Sequence, residues 1–386
     1  MKALNESFEI LDYMWDIRNY FHANPELGLE EYKTADRIEK ELNSLGIQTQ
    51  RVGKTGILGT IDTGRPGKTL FMRADIDALP IQEENDVPYK SQIDGKMHAC
   101  GHDGHCAALL GVAKLLLKHL DELNGKMLLA FQPAEEIGKG ARTFIEEGLL
   151  DRVDRVYGIH FSSGLPLGSY GIKTGECMAS CDRFKITVRG KSAHITTPQS
   201  GVDATFIASL IVNQLHQITT KFVAPAENAL IGIGSFHSGT TYNIISDEAI
   251  LEGTVRAFSP ANRKTINEKI TQIAHSTAQI YGATADVFID DIADPCINDK
   301  ESAQEHIAAA RKIVAEDKII TTIDKRFGAD NFADFMRKAP GCYTFVGSSD
   351  GPASSAPHHN GHFDLAKESL AYAAALGLQY ALDFCK

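Results

Sequence analysis

The sequence has 386 residues, of which 43% are hydrophobic, and a formal net charge of −11 at pH 7. A chain of this length exceeds what one hydrophobic core usually serves, so we expect two domains. The acidic balance, with no run of basic residues, argues against nucleic acid or an anionic membrane surface as a partner. No segment approaches the length of a membrane span, and the seven unevenly spaced cysteines do not indicate a disulfide framework. We therefore expect a soluble, cytoplasmic protein.

The beginning of the chain predicts two helices and then a buried strand. Apolar residues recur at helical spacing over residues 5–21 and again over residues 32–45. Residues 69–74 form an apolar run that predicts a strand. Two residues with carboxylate side chains, Asp75 and Asp77, follow this strand.

The segment Met97-His-Ala-Cys-Gly-His-Asp-Gly-His105 is rich in side chains that bind metals. Its nine residues hold one thiol, three imidazoles and one carboxylate, which packing alone does not require. The glycines allow a tight loop on which Cys100 and His102 can face one centre, and the residues from Cys106 onward predict a helix. At a helix N-terminus, the helix dipole and a bound cation both favour the Cys100 thiolate. Thiolate and imidazole ligands suit Zn²⁺, Mn²⁺, Co²⁺ or Ni²⁺ better than Ca²⁺ or Mg²⁺.

The pattern of a buried strand followed by polar residues occurs three more times. The strands are predicted at residues 126–131, 153–159 and 342–347, and the polar residues that follow them are Glu135 with Glu136, His160, and His358 with His359. A helix is predicted over residues 139–150. Strands that alternate with helices predict a largely parallel sheet, whose ligand crevice lies at the carboxyl ends of the strands. We therefore expect these acids and imidazoles to meet at one edge of the sheet.

The donors at this edge predict a metal site with open positions. The candidate ligands are Cys100, His102, Glu136, His160 and His359. Five ligands are more than one tetrahedral structural site needs, so the site can hold one ion or two. If the segment around Glu135 and Glu136 is extended, the two side chains point in opposite directions, and one can bind metal while the other handles protons. This arrangement indicates metal-assisted hydrolysis.

The middle of the chain predicts an inserted second domain. Between residues 181 and 291 the predicted elements follow a β-α-β-β-α-β order, the split-βαβ or ferredoxin-like plan. The expected organisation is a first catalytic segment at 1–180, the insertion at 181–291 and a second catalytic segment at 292–386. His194, just beyond the first strand of the insertion, is by its position alone most simply a surface histidine.

Seven motifs together resemble the amidohydrolase branch of the M20 family of metallopeptidases. They are His22-x-Asn-Pro-Glu26, Arg73-Ala-Asp-Ile-Asp-Ala-Leu-Pro80, the segment 97–105, Gln132-Pro-Ala-Glu-Glu136, Ser192-Ala-His194, Asn243-Ile-Ile245 and Gly253-Thr-Val-Arg256. The branch includes hippurate hydrolases, aminoacylases, indole-acetyl-amino-acid hydrolases and N-acetyl-diaminopimelate deacetylases. The motifs occur in the family's order over nearly the whole chain.

The resemblance implies an α/β metal-dependent hydrolase that cleaves the amide bond of N-acyl amino acids. It implies that the five candidate ligands bind one or two divalent ions (Mn, Zn, Ni or Co), that Glu135 is the general base and that Asp77 supports the metal site. The insertion would be a lid and dimerisation domain, giving a homodimer or higher homo-oligomer, in which His194, Asn243 and Arg256 contact a small-molecule substrate. A dipeptidase or carboxypeptidase of the same family is the alternative.

The sequence departs from the family pattern at three places. Asp330-Asn331 stands where the family usually has Glu-Asp, Phe161 replaces an Asn after His160, and Ser246 replaces a Pro. These departures bear on substrate choice, while the predicted metal ligands are intact.

Two other classes of function compete with this interpretation. A thiol hydrolase would use Cys100 as nucleophile with a nearby histidine as base, but it leaves Glu135, Glu136 and His359 without a role. A metal-storing or ligand-binding protein would need no general base, whereas Glu135 is present.

Overall fold

The computed structural model describes residues 1–386, which divide into two compact units. The large unit comprises Met1–Cys177, Ile297–Asp324 and Asp330–Lys386. The small unit comprises Met178–Cys296 and Lys325–Ala329. The α/β class predicted from the sequence is confirmed, because helices and a mixed sheet together build the large unit.

Eleven α-helices are distributed over the chain. They are α1 (Lys2–Glu9), α2 (Leu11–Ala23), α3 (Tyr32–Ser44), α4 (His102–Leu116), α5 (Gly140–Glu146), α6 (Ala204–Leu215), α7 (Ile218–Lys221), α8 (Pro260–Ile280), α9 (Lys300–Ala310), α10 (Phe332–Met336) and α11 (Ser369–Phe384). None of them combines the length and the apolar content that crossing a bilayer requires.

Sixteen strands accompany the helices. They are β1 (Gln48–Val52), β2 (Gly56–Asp62), β3 (Thr69–Asp75), β4 (Lys126–Gln132), β5 (Arg155–Pro166), β6 (Tyr170–Gly171), β7 (Gly175–Met178), β8 (Cys181–Arg189), β9 (Ala193–His194), β10 (Ala229–Ser238), β11 (Ile244–Ile245), β12 (Glu248–Ala257), β13 (Thr284–Ala293), β14 (Cys296–Asn298), β15 (Ile319–Ile320) and β16 (Gly341–Ser349).

The large unit is built on an eight-stranded sheet with the order β1-β2-β4-β3-β5-β16-β6-β15. The four central strands, β4, β3, β5 and β16, run parallel to their neighbours within this group. Their side chains are buried on both faces, which explains why their sequences are nearly continuous apolar runs. The core includes apolar side chains of α2, α3, α4 and α11.

Helix α4 is held close to strand β5 by a small residue. A Cβ atom placed on Gly104 would lie 2.7 Å from the Phe161 ring and 2.8 Å from Leu365. Only glycine therefore allows the first turn of α4 to approach the strand this closely. That turn begins at His102, so the close approach also brings the predicted metal-binding loop onto the end of the sheet.

The small unit is a four-stranded antiparallel sheet with the order β10-β12-β8-β13. Its core joins the inward side chains of the strands to apolar side chains of α6 and α8, as the split-βαβ plan predicts. Helix α8 begins as the sequence indicates, because the Ser259 side chain accepts a hydrogen bond from the Asn262 N–H and Pro260 occupies the first helical position.

Three predicted elements differ from the structure. The helix predicted at 5–21 is interrupted at Ile10, whose backbone leaves helical geometry at φ −109° and ψ 13°. The helix predicted at 139–150 is shorter and is followed by Gly148, which has φ +72°. Strand β5 does not end at His160 but continues to Pro166, because β16 pairs with it as far as Ser162 and, after a register shift, again at Pro166.

Candidate metal centre

The predicted site residues are brought together where the central parallel strands end. Strand β3 finishes at Asp75, which is paired with Gln132 at the end of β4. Strand β5 continues past this edge, but its pairing with β3 stops at Gly158, two residues before His160. His160 thus lies inside a strand and still faces the edge at which β3 has ended. The edge predicted from the strand–helix alternation is the one observed.

His102 is held by Asp77 in the orientation that a metal ligand needs. Its Nδ1 lies 2.9 Å from the Asp77 backbone oxygen, so this nitrogen donates a hydrogen bond and directs Nε2 inward. Nε2 is buried without a hydrogen-bond partner, 3.5 Å from an Asp75 oxygen and 3.9 Å from Glu136 Oε1. Burial lowers the pKa of His102, but Asp75 and Cys100 outweigh it and raise this pKa well above its usual value. The site therefore favours a positive charge at Nε2, from a proton or a metal ion.

His160 is fixed in the same way by a backbone carbonyl. Its Nδ1 donates to the Phe161 oxygen at 2.6 Å, and its Nε2 lies 3.4 Å from the Cys100 sulfur. Burial, with His105 and His358 nearby, holds the pKa of His160 well below its usual value. The ring is consequently neutral, and its Nε2 lone pair is directed at the thiol.

Cys100 lies between these imidazoles in an environment that opposes its ionisation. The residue is 8% exposed, and burial followed by the charge of Glu136 raises the pKa of the thiol well above its usual value. The position at a helix N-terminus predicts a favoured thiolate, but burial outweighs that effect here. A thiolate at this position therefore depends on a neighbouring cation.

Glu135 and Glu136 lie in a turn, so the extended conformation considered from the sequence is wrong. Ala134 has φ +53°, and the Gly138 N–H donates to the Glu135 carbonyl at 2.8 Å. The two carboxylates do not point in opposite directions, because both place an oxygen within 4.8 Å of a His102 nitrogen and of each other. The Glu136 N–H donates to Asp77 Oδ2 at 3.0 Å, so Asp77 positions both His102 and Glu136.

Glu135 is held from the opposite side by Asn331. Its Oε1 accepts the Asn331 backbone N–H at 3.3 Å. Burial, then Asp330 and Glu136, raise the pKa of Glu135 well above its usual value. A carboxylate with a raised pKa accepts a proton more readily than an ordinary surface carboxylate.

His359 completes the set of five predicted ligands. Its Nε2 lies 3.4 Å from Glu136 Oε1, and its side chain is half exposed. Its backbone is in the left-handed region at φ +60°, which is uncommon for a residue with a side chain, and its N–H donates to the Ala99 carbonyl at 2.8 Å. The hydrogen bond to the metal-binding loop helps to hold this conformation.

The ligand atoms form overlapping groups, each within 4.8 Å. The groups are Cys100 with Glu136 and His359, His102 with Glu135 and Glu136, Asp75 with His102 and His105, and Cys100 with His160 and His358. All five predicted ligands therefore belong to one cluster. Asp75, His105 and His358 are not among the five ligands predicted from the sequence, although each lies beside a predicted site residue or in the same segment.

His105 supports the cluster and is not free to bind metal. Its Nδ1 lies 2.6 Å from Asp75 Oδ1, and its Nε2 accepts the Phe161 N–H at 3.0 Å. Both ring nitrogens are therefore used within the protein.

Arg73 is the buried cation beneath the site. Its guanidinium, with no side-chain exposure, lies 2.7 Å from Asp75 and 3.0 Å from Asp330. It also donates to Gln132 at 2.9 Å and to Asn331 at 3.3 Å. The Asp330-Asn331 pair, which departs from the family pattern, thus connects Arg73 to the residue that holds Glu135.

The predicted substrate residues all lie in the small unit. His194 pairs with Ile244 in the two-stranded β9–β11 ribbon, and the carbonyl of the adjacent Asn243 accepts the Ile195 N–H at 3.0 Å. His194 and Asn243 are therefore near each other. Arg256 belongs to β12 in the separate four-stranded sheet. Contact of these residues with substrate stays a prediction.

Comparison with known proteins assigns the chain to a family. The model of peptidase family M20/M25/M40 matches residues 71–383. The chain is 39% identical to thermostable carboxypeptidase 2 of Saccharolobus solfataricus, covering 99% of this chain and 98% of that protein. It is 39% identical to N-acetyl-L-cysteine deacetylase of Bacillus subtilis, covering 86% of this chain and 79% of that protein.

The structure also matches a solved member of the family. It superposes on the YXEP protein of Bacillus subtilis, a dinuclear metal-binding peptidase from the M20 family, with a TM-score of 0.85 and 32% identity. The match covers 98% of this chain and 99% of that chain. The chain thus belongs to peptidase family M20/M25/M40 and is a hydrolase of its metal-dependent class. The resemblance inferred from the motifs is confirmed.

Arg73→Met is expected to lower the free energy of unfolding by about 3–5 kcal/mol, because it leaves the Asp75 and Asp330 charges buried without their cation. Arg311→Met is the matched control, since Arg311 forms its 2.8 Å ion pair with Glu316 at 54% side-chain exposure. The control should change the free energy of unfolding little, because solvent screens an exposed ion pair. Urea unfolding, monitored by circular dichroism, measures the free energy of unfolding of both variants. Equal losses would show that Arg73 stabilises the fold no more than an exposed arginine does.

Proposed function

We propose that the protein hydrolyses the amide bond of N-acyl amino acids with Glu135 as general base. One observation carries the proposal: Cys100 and three imidazoles cluster with the adjacent carboxylates of Glu135 and Glu136. Glu136 alone can serve as the carboxylate ligand, so Glu135 need not bind the metal. The donors fit one or two divalent ions of the Zn, Mn, Co or Ni type, because His102 and His160 present inward Nε2 atoms and Cys100 supplies sulfur. Such an ion would polarise the amide carbonyl and lower the pKa of a bound water molecule.

The contacts and the raised pKa of Glu135 support its proposed role in moving the proton. The Asn331 N–H holds one of its oxygens, which leaves the other to accept a proton from water and deliver it to the leaving nitrogen. The raised pKa of Glu135 suits a group that must both take and release that proton. Asp77 acts as a positioning residue, since it holds the His102 ring and the Glu136 backbone.

The surroundings of Cys100 argue against the thiol-hydrolase alternative. The raised pKa of its buried thiol and the proximity of Glu136 oppose a free thiolate nucleophile. A metal ligand has no such difficulty, because the ion itself stabilises the thiolate. The presence of Glu135 beside the ligands likewise favours an enzyme over a protein that only stores metal.

Glu135→Gln is expected to keep the metal and the fold but to lose about 10²–10⁴-fold in kcat, the usual contribution of a well-placed general base. Metal content after dialysis and turnover of an N-acyl amino acid should be measured together. Chelation should inactivate the wild type, and added divalent metal should restore it. Glu84→Gln, at an exposed carboxylate that pairs with His362, is the control.

Two outcomes would contradict this assignment. If the Glu135→Gln variant keeps more than a tenth of the wild-type kcat, Glu135 is not the general base. Cys100→Ser that keeps full metal occupancy but has no activity would instead support the thiol nucleophile, since loss of a sulfur ligand should weaken binding of these ions.

We also propose that Arg256 binds the substrate α-carboxylate. The relatives include both deacetylases and carboxypeptidases, and N-acyl amino acids and peptides alike carry a free α-carboxylate. A guanidinium can hold a carboxylate through two parallel hydrogen bonds. The same residue would serve either substrate class, so the carboxypeptidase alternative is kept.

Substrates whose α-carboxylate is amidated should lose most of kcat/KM with the wild type, since each tenfold loss corresponds to about 1.4 kcal/mol. Arg256→Ala should reduce the difference between acid and amide substrates. A panel of N-acyl amino acids, dipeptides and their amides provides the measurement. If Arg256→Ala lowers activity on acid and amide equally, or on neither, Arg256 does not bind the carboxylate.

We propose that the small unit associates with a second copy of the chain along strand β10. This strand is an edge of its sheet and has no Asp, Glu, Lys or Arg, whereas the opposite edge strand β13 contains Asp286 and Asp290. Leu230 and Phe236 on β10 are 46% and 40% exposed. A long edge strand without charges is prone to pair with another strand.

Leu230→Lys combined with Phe236→Lys is expected to convert dimers to monomers, because charges on an edge strand oppose pairing. Phe288→Lys is the control, since Phe288 is 61% exposed on the opposite edge strand. Light scattering coupled to gel filtration measures the mass of each variant. A monomeric wild type, or a double variant that remains dimeric, would contradict pairing through β10.

A further inference from the structure

His358 lies in the metal cluster although the five predicted ligands do not include it. One of its ring nitrogens, the Cys100 sulfur and a His160 nitrogen all lie within 4.8 Å of one another. The His358 and His160 rings are 5.0 Å apart, edge to face. A thiol with two imidazoles is a donor set that suits a Zn-type ion.

The orientation of the His358 ring is fixed by the protein. Its Nδ1 donates to the Cys100 backbone carbonyl at 3.2 Å, and the ring packs on Phe363 with centroids 4.8 Å apart. His102 and His160 are held in the same manner, each by an Nδ1 hydrogen bond to a backbone carbonyl. If each Nδ1 hydrogen bond is kept when an ion binds, Nε2 is the nitrogen of each ring that would bind it.

The neighbouring His359 serves a different part of the cluster. Its φ is positive and its Nε2 lies 3.4 Å from Glu136, whereas a His358 ring nitrogen is grouped with the Cys100 sulfur and a His160 nitrogen. The ligand atoms of His359 and His358 therefore fall into two groups that share the Cys100 sulfur. Two adjacent histidines can in this way each lie close to the same sulfur.

We propose that His358 is itself a metal ligand, which binds an ion together with Cys100 and His160. The inference rests on the proposed function only in requiring that the cluster binds a divalent ion. It adds a sixth donor, in a group that shares the Cys100 sulfur with the Glu136 and His359 group. A structural role is the alternative, in which His358 only donates to the Cys100 carbonyl.

His358→Asn separates these two roles. The Asn amide can still donate from the position of Nδ1, but it has no atom at the position of Nε2. Metal-free wild type and variant should be titrated with Co²⁺ in the presence of a competing chelator, with visible absorption and metal content as readouts. His362→Asn is the control, because His362 lies in the same segment at 60% side-chain exposure and pairs with Glu84.

We expect His358→Asn to weaken binding of an ion by at least about tenfold and to change the Co²⁺ absorption bands, while His362→Asn matches the wild type. The thiolate-to-metal band should persist in His358→Asn, since Cys100 remains. Binding and spectrum equal to wild type in His358→Asn would overturn the inference and leave the proposed function intact. A wild type that binds no Co²⁺, Zn²⁺ or Mn²⁺ would overturn the proposed function itself.

A fold control keeps the result interpretable. Circular dichroism and thermal unfolding of the metal-free proteins should be the same for His358→Asn and wild type. If the metal-free variant is unfolded, His358→Gln replaces it, because its amide reaches the Nε2 position with a weaker ligand. Wild-type affinity in a folded His358→Gln would then count against His358 as a ligand.

Discussion

The buried guanidinium of Arg73 is the interaction on which the site depends. Parallel strands β3 and β4 end side by side, and the acids that follow them would repel one another if they were buried alone. Arg73 offsets this repulsion through Asp75 on one side and Asp330 on the other. Because it also contacts Gln132 and Asn331, one cation joins two strand ends to the segment that holds Glu135.

Backbone groups orient three of the six candidate ligands and the candidate general base. The rings of His102, His160 and His358 each donate Nδ1–H to a main-chain carbonyl, and Glu135 accepts a main-chain N–H. A carbonyl fixed within a loop or strand has little freedom to move, so the lone pairs are directed before any ion binds. Such preorganisation is what a centre that must bind metal repeatedly requires.

The sequence selected side chains that the fold brings together, although it predicted some local conformations wrongly. The Cys-Gly-His and Glu-Glu motifs indicate a site because few structural roles need a thiol, imidazoles and carboxylates at that spacing, and their side chains do lie in one cluster. That these side chains bind metal stays a prediction. The extended conformation considered for the segment around Glu135 is wrong. The observed turn is stabilised by a hydrogen bond from the Lys139 N–H to the Ala134 carbonyl and by the distant Glu31, which accepts the Ala134 N–H. Helical spacing likewise did not reveal the interruption at Ile10.

By itself, the sequence determined the α/β class, the hydrolase family and the chemical types of the ligands, because these follow from periodicity and from motifs within short segments. Only the tertiary structure decided which donors share a centre. Asp330 and Arg73 are 257 residues apart, and His358 and Cys100 are 258 apart, yet both pairs are in contact. No local pattern encodes such contacts, since they arise when separate strands and loops pack at one edge of the sheet.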